Sequence, residues 1–129
     1  VINTMKTLKS ILPIVTILLS VTLLYSCKDK TPSVAKIFVR SNSNELLQDA
    51  RVVIIADISK NDSDIEYVDT LMTNSSGFAE FNLQDYYNQV GKEVTVATFD
   101  VICKKAELTG EDEIRTRIHT TAVETIYVK

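Results

Sequence analysis

The stretch Thr73-Asn74-Ser75-Ser76-Gly77-Phe78-Ala79-Glu80-Phe81-Asn82-Leu83 decides the fold class. Its first half is a turn: Asn74 can bond its own backbone, and Gly77 supplies the positive φ that a side chain resists. Its second half alternates, with Ala79, Phe81 and Leu83 on one side, the period of a half-buried strand. A strand entered through a tight turn is the unit of antiparallel β structure, and the chain repeats it on both sides.

Upstream, residues 35–40 alternate and turn Ala35, Ile37 and Val39 toward a core. Residues 51–57 carry the run VVIIA, apolar at every position, which reads as a central strand covered on both faces. Residues 65–73 form a third strand, rich in β-branched and aromatic residues. Downstream, residues 84–91 (QDYYNQVG) are the only stretch suited to a helical turn. Residues 94–103 make a long strand. Residues 113–120 alternate, with Ile114 and Ile118 inward and Arg115, Arg117 and His119 outward, and residues 122–128 close the domain. Seven short strands with frequent turns predict an all-β, seven-stranded antiparallel sandwich of the immunoglobulin-like kind. The 96 residues of 34–129 suffice for one modest core.

The deciding stretch also resembles the "T-D-x-x-G-x-a-x-F-x-l" signature of transthyretin-like, or carboxypeptidase regulatory-like, domains, with Asn74 in place of the commoner aspartate. Leu47-Gln48-Asp49-Ala50-Arg51-Val52 is similar to their "G-A-x-V" entry to the second strand, with Asp49 in place of the glycine. The resemblance implies a seven-stranded sandwich and, often, a non-catalytic module on exported proteins.

The N-terminus reads as a targeting segment. From Met5, Lys6 and Lys9 form a short positive region, and an apolar stretch runs from Ile11 to Leu24, interrupted only by Pro13, Thr16, Ser20 and Thr22. Residues 1–4 precede this segment and are given no role. At 1.5 Å per residue the apolar stretch spans roughly 21 Å, short of the about 30 Å a membrane helix must cross. Leu24-Tyr25-Ser26-Cys27 follows, which resembles the lipobox of bacterial lipoproteins, Tyr25 being bulkier than the usual residue there. That resemblance implies a signal peptide over residues 1–26, cleavage before Cys27, and lipid on its thiol. Each buried CH₂ contributes about 0.8 kcal/mol, so two or three long chains anchor a protein durably. Residues 27–33 would be the lipidated cysteine and a polar tether, and residues 34–129 the domain. Lys28, where an aspartate favours inner-membrane retention, directs the expectation to the outer membrane, on its periplasmic or cell-surface face.

Loss of Lys6 and Lys9 leaves 12 basic against 17 acidic residues, a net of −5, which speaks against nucleic acid as a partner. With Cys27 carrying lipid, Cys103 has no mate, so no disulfide scaffold is built and Cys103 reads as a small buried hydrophobe.

Catalytic chemistry finds no foothold in the pattern. The sole histidine, His119, shares its expected strand face with Arg115 and Arg117, without a nucleophile or orienting group at a telling spacing. The well-known enzyme of the resembled fold hydrolyses 5-hydroxyisourate through several histidines and arginines and a C-terminal Tyr-Arg-Gly-Ser. Here the corresponding residues are Tyr127-Val128-Lys129, so no catalytic residue and no cofactor is carried over. Asp62, Asp64 and Glu66 alternate as calcium ligands in a loop do, although Tyr67 stands where a calcium loop continues with glycine. Glu111-Asp112-Glu113 after Gly110 reads as a solvated turn.

Arg115, Arg117 and His119, with Lys104 and Lys105 nearby, form the best candidate for an anion or glycan contact, and Tyr86 and Tyr87 could stack on a sugar. The sequence therefore leads to a lipid-anchored, non-catalytic envelope module that binds an envelope or outer-membrane protein. A surface lipoprotein that binds a glycan or another ligand is the alternative.

Overall fold

Seven strands and one short helix follow in the order β1 (Val34–Ser41), β2 (Arg51–Ala56), β3 (Tyr67–Met72), β4 (Phe78–Asn82), α1 (Gln84–Val90), β5 (Val96–Lys105), β6 (Leu108–Arg117) and β7 (Thr121–Val128). They come from a computed structural model that describes residues 31–129, together with Pro13 and Ile14. Thr31–Lys129 form one compact unit. Its strands form two sheets, β4-β1-β7 and β3-β2-β5-β6, in a sandwich-like arrangement. Among the described residues no helix is long and apolar enough to cross a membrane.

The two-residue alternation places the core. Ala35, Ile37 and Val39 of β1, Ala79 and Phe81 of β4, and Leu83 just beyond it are all buried. From the other sheet Val52, Ile54, Phe99, Val101 and Cys103 meet them in one cluster. Every strand expected from the pattern is present, with ends shifted by a few residues. One pairing departs from the expected antiparallel rule: β1 and β7 run parallel over eight register pairs, Val34 beside Thr121 to Ser41 beside Val128. Alternation specifies which side chains face inward and carries no information on strand direction, so the first and last strands are free to meet in parallel.

The turn that opens β4 behaves as its residues dictate. The Asn74 side-chain oxygen accepts from the Ser76 N–H at 2.9 Å, the Gly77 N–H donates to the Asn74 carbonyl at 2.9 Å, and Gly77 takes φ +77°. Thr73, just before it, is buried. Its hydroxyl donates to the Leu47 carbonyl at 2.6 Å and accepts from the Ala50 N–H at 2.9 Å, while its own N–H donates to the Ala50 carbonyl at 2.8 Å. One side chain thus fastens the β1–β2 loop to the β3–β4 turn. Asp49, where the resembled family has glycine, holds φ +56° in that loop.

Thr73→Val keeps the shape and removes both hydroxyl bonds, leaving a buried N–H and a carbonyl without that partner. The expected loss is about 1–3 kcal/mol, a fall in Tm of several degrees, with Thr73→Ser retaining most of the stability. A thermal melt of the two variants checks this, and a Val variant as stable as wild type would refute it.

Candidate functional site

Cys27 and the signal segment, apart from Pro13 and Ile14, lie outside the described residues. Cys103 is buried and free, and burial pushes its thiol pKa up to about 12, so it stays protonated and unreactive near neutral pH.

Tyr86 and Tyr87 do not stack on anything in solvent. Helix α1 turns both inward, where Tyr86 packs against Tyr67 and Phe99 and Tyr87 packs against Tyr86. Tyr86 lies 5.1 Å from Phe99 and 5.6 Å from Tyr67 between ring centroids, and 5.5 Å from Tyr87. The sugar-stacking expectation is corrected accordingly: α1 is short and must bury a hydrophobic face to hold its place, and the two rings are that face. Their hydroxyls differ. Tyr87 Oη pairs with Thr116 Oγ1 at 2.8 Å, whereas Tyr86 Oη is buried without a hydrogen-bond partner among the described residues. Desolvation raises the pKa of both phenols.

The contrast yields opposite expectations for one chemical change. Tyr87→Phe should cost about 1 kcal/mol by stripping a buried bond from Thr116, and Tyr86→Phe should be neutral or stabilising by a similar amount. Urea titration of both variants measures the sign of each.

Asp62, Asp64 and Glu66 lie in the loop after β2. Among the described residues no three His, Cys, Asp or Glu side chains come together as a metal-ligand group, so the calcium expectation gains no geometry. Asn61 instead ties this loop down by exchanging two bonds with the Thr98 backbone, its amide donating to Thr98 O at 3.0 Å and its oxygen accepting from Thr98 N at 2.8 Å.

The basic stripe is shorter than expected. Arg115 and Arg117 are exposed on β6. Neither pairs with a carboxylate among the described residues. Both border open depressions: Arg115 one of about 220 Å³ that Lys60, Asn61, Val96, Thr98 and the acidic Asp62 also line, and both arginines one of about 370 Å³ with Val96 and Thr116. His119 does not belong with them. β6 ends at Arg117, and His119 sits in the following turn at φ +58°, its N–H donating to Ser33 Oγ at 2.7 Å and its Nδ1 lying 2.8 Å from Thr31 O. Lys104 and Lys105 are also apart. Lys104 pairs with Thr109 while Thr98 pairs with Arg115, six residues along β5 or roughly 20 Å.

Glu111-Asp112-Glu113 is no turn either. It lies within β6 opposite Ile102, Val101 and Asp100. The reversal is made by Ala106 and Glu107, with Ala106 at φ +51°, a position that glycine favours and that no glycine announces here.

The outer face of the four-stranded sheet was not foreseen. Cross-strand register sets three rows on it: Val68, Ile55, Asp100, Glu113; then Thr70, Val53, Ile102, Glu111; then Met72, Arg51, Lys104, Thr109. Val68 is 62% exposed, Met72 54% and Ile102 37%, an apolar stripe in water beside half-buried Val53 and Ile55. VVIIA is therefore buried on one face and only half-buried on the other. At one end of the stripe Lys60 bridges Asp100 and Glu113 across β5 and β6, which holds its ammonium charged well above the usual lysine range. At the other end stand Arg51 and Lys104. The opposite sheet caps its own aromatic surface: Phe38 and Phe78 pair at 5.3 Å, and Lys36 Nζ lies 3.9 Å from the Phe78 ring centre.

Compared with known proteins, the chain matches no family model, and no curated protein shows significant similarity to it.

Proposed function

We propose that this chain is a lipid-anchored, non-catalytic module of the cell envelope that binds another protein through the outer face of β3-β2-β5-β6. The anchor rests on the lipobox-like Leu24-Tyr25-Ser26-Cys27, and the transthyretin-like type of the sandwich on the Thr73–Leu83 signature. The observation that carries the binding role is the exposed stripe of Val68, Met72 and Ile102 beside β2. A strand apolar on both faces is the pattern of one covered on both. Contiguous apolar surface on a small domain marks an interaction site more often than chance exposure.

The test is recovery of the full-length, tagged chain from detergent-solubilised membranes, as wild type and as Ile102→Lys. A stoichiometric complex, with itself or another envelope protein, whose yield falls ten-fold or more in the variant supports the reading. Recovery of the wild type only as a free monomer, even after chemical cross-linking in the membrane before solubilisation, overturns it. The anchor is tested separately by palmitate labelling: label that disappears in Cys27→Ala supports it, and an unlabelled wild type removes it.

A second reading, anion or acidic-glycan binding, has its own support in Arg115 and Arg117, unpaired among the described residues and beside the open depressions. A glycan array whose signal vanishes in Arg115→Ala/Arg117→Ala would establish it, and a silent array would dismiss it.

A further inference from the structure

The geometry points to a second copy of this chain as the occupant of the outer β3-β2-β5-β6 face, the two copies packed face to face about a two-fold axis. This rests on the reading of that face as protein-binding and names its partner.

Self-complementarity carries the inference. A two-fold axis in the plane of the face, perpendicular to the strands and through the middle row, lays each strand on its own counterpart and exchanges the outer rows. Val68 then meets Met72 of the other copy, and Val53 and Ile102 each meet themselves. Asp100 of one copy meets Lys104 of the other, and Ile55 meets Arg51, whose methylene stem can lie along it. In this pose the row carrying Asp100 and Glu113 lies against the row carrying Arg51 and Lys104 of the other copy. The other face-to-face axis, parallel to the strands, sets Ile55 on Asp100 and Val68 on Glu113, and so buries carboxylates against aliphatic side chains. Of the charged side chains on this face, only Glu111 meets itself in the favoured pose. It sits on β6, an edge strand of the sheet, so its carboxylate stays at the wet rim of the contact.

Four strands about 4.8 Å apart and three rows about 6.6 Å apart make a flat footprint of roughly 400 Å², below the about 800 Å² each partner buries in a standard interface. The dimer is therefore a reversible one, best read by trapping it. Packed sheets stand about 10 Å apart, too far for a disulfide between facing cysteines, so the trap is a bis-maleimide of about 10 Å reach.

The experiment places Ile102→Cys in the full-length chain, in membranes, and adds the bis-maleimide. The unsubstituted chain measures the background, with Cys103 buried, and Val123→Cys, exposed on the other sheet, measures random collision. Val53→Cys is a second axis position should Ile102→Cys disturb the fold. The expected result is covalent dimer at either axis position at least five-fold above Val123→Cys. Adding Lys104→Glu should cut it at least five-fold, and adding Asp100→Lys as well should restore it. No excess over Val123→Cys, or an excess indifferent to Lys104→Glu, overturns the second copy as occupant. If Ile102→Lys still releases a different protein from the solubilised complex in that case, the face remains a binding surface and only its occupant changes.

Discussion

Phe99→Ala is expected to cost about 3–5 kcal/mol, much of the 5–15 kcal/mol that holds a domain of this size. Phe99 is fully buried, 5.1 Å from the Tyr86 ring and 6.2 Å from Tyr67. Those rings belong to α1 and β3, which hold few other buried anchors. Truncation would thus forfeit the transfer energy of the ring, leave a cavity, and loosen two elements that have little else to grip. Edge-to-face pairs of this kind add about 0.5–1.5 kcal/mol each beyond area burial. Urea unfolding followed by circular dichroism would show the midpoint falling with the slope unchanged, the mark of a native-state loss. Phe99→Leu, which keeps most of the volume, should lose clearly less. A loss under about 1 kcal/mol for alanine would mean that the four rings do not act as one packed unit.

Gly110→Ala is the second large effect, and its cause is space. Gly110 has no unusual φ, yet a Cβ built there would lie 2.4 Å from the Tyr127 carbonyl oxygen and 3.0 Å from the Ile126 Cγ2. At this corner β6 and β7, members of different sheets, come into backbone contact. The Thr109 N–H donates to Lys129 O at 3.2 Å, and the Lys129 N–H donates to Thr109 O at 3.0 Å. A methyl group would push the strands apart and break that pair, at about 1–3 kcal/mol for overpacking and more for Gly110→Val. Hydrogen exchange offers the decisive readout. The Thr109 and Lys129 amides should lose protection in Gly110→Ala while Val52 and Ile54 in the core keep theirs. Uniform loss across the sheet would mean global destabilisation without a local opening.

Both residues were legible in the sequence to different degrees. Phe99 lies in a long apolar strand, and its burial follows from that setting. Gly110 was only the residue before an acidic run. Its role depends on Tyr127, seventeen positions away, and on how two sheets meet at a corner. The same division runs through the candidate site. Arg115 and Arg117 point outward as alternation requires, because the strand there is regular. His119 fails the same rule because the strand ends two residues before it, and the turn that ends it has no glycine or proline to signal the break. Tyr86 and Tyr87 are ambiguous by type, being apolar rings with polar tips. Only the packing of α1 over Phe99 decides that both go inside.

By itself the sequence determined the number and order of the strands, the inward-facing side chains of their regular stretches and the Asn74–Gly77 turn. Each follows from a repeat or a turn a few residues long, and such local preferences hold whatever the neighbours. The tertiary structure alone decided the parallel meeting of β1 and β7, the close contact at Gly110, and the exposure of one face of VVIIA. Strand direction, clearance and coverage are relations between segments far apart in the chain, and a two-residue period is blind to all three.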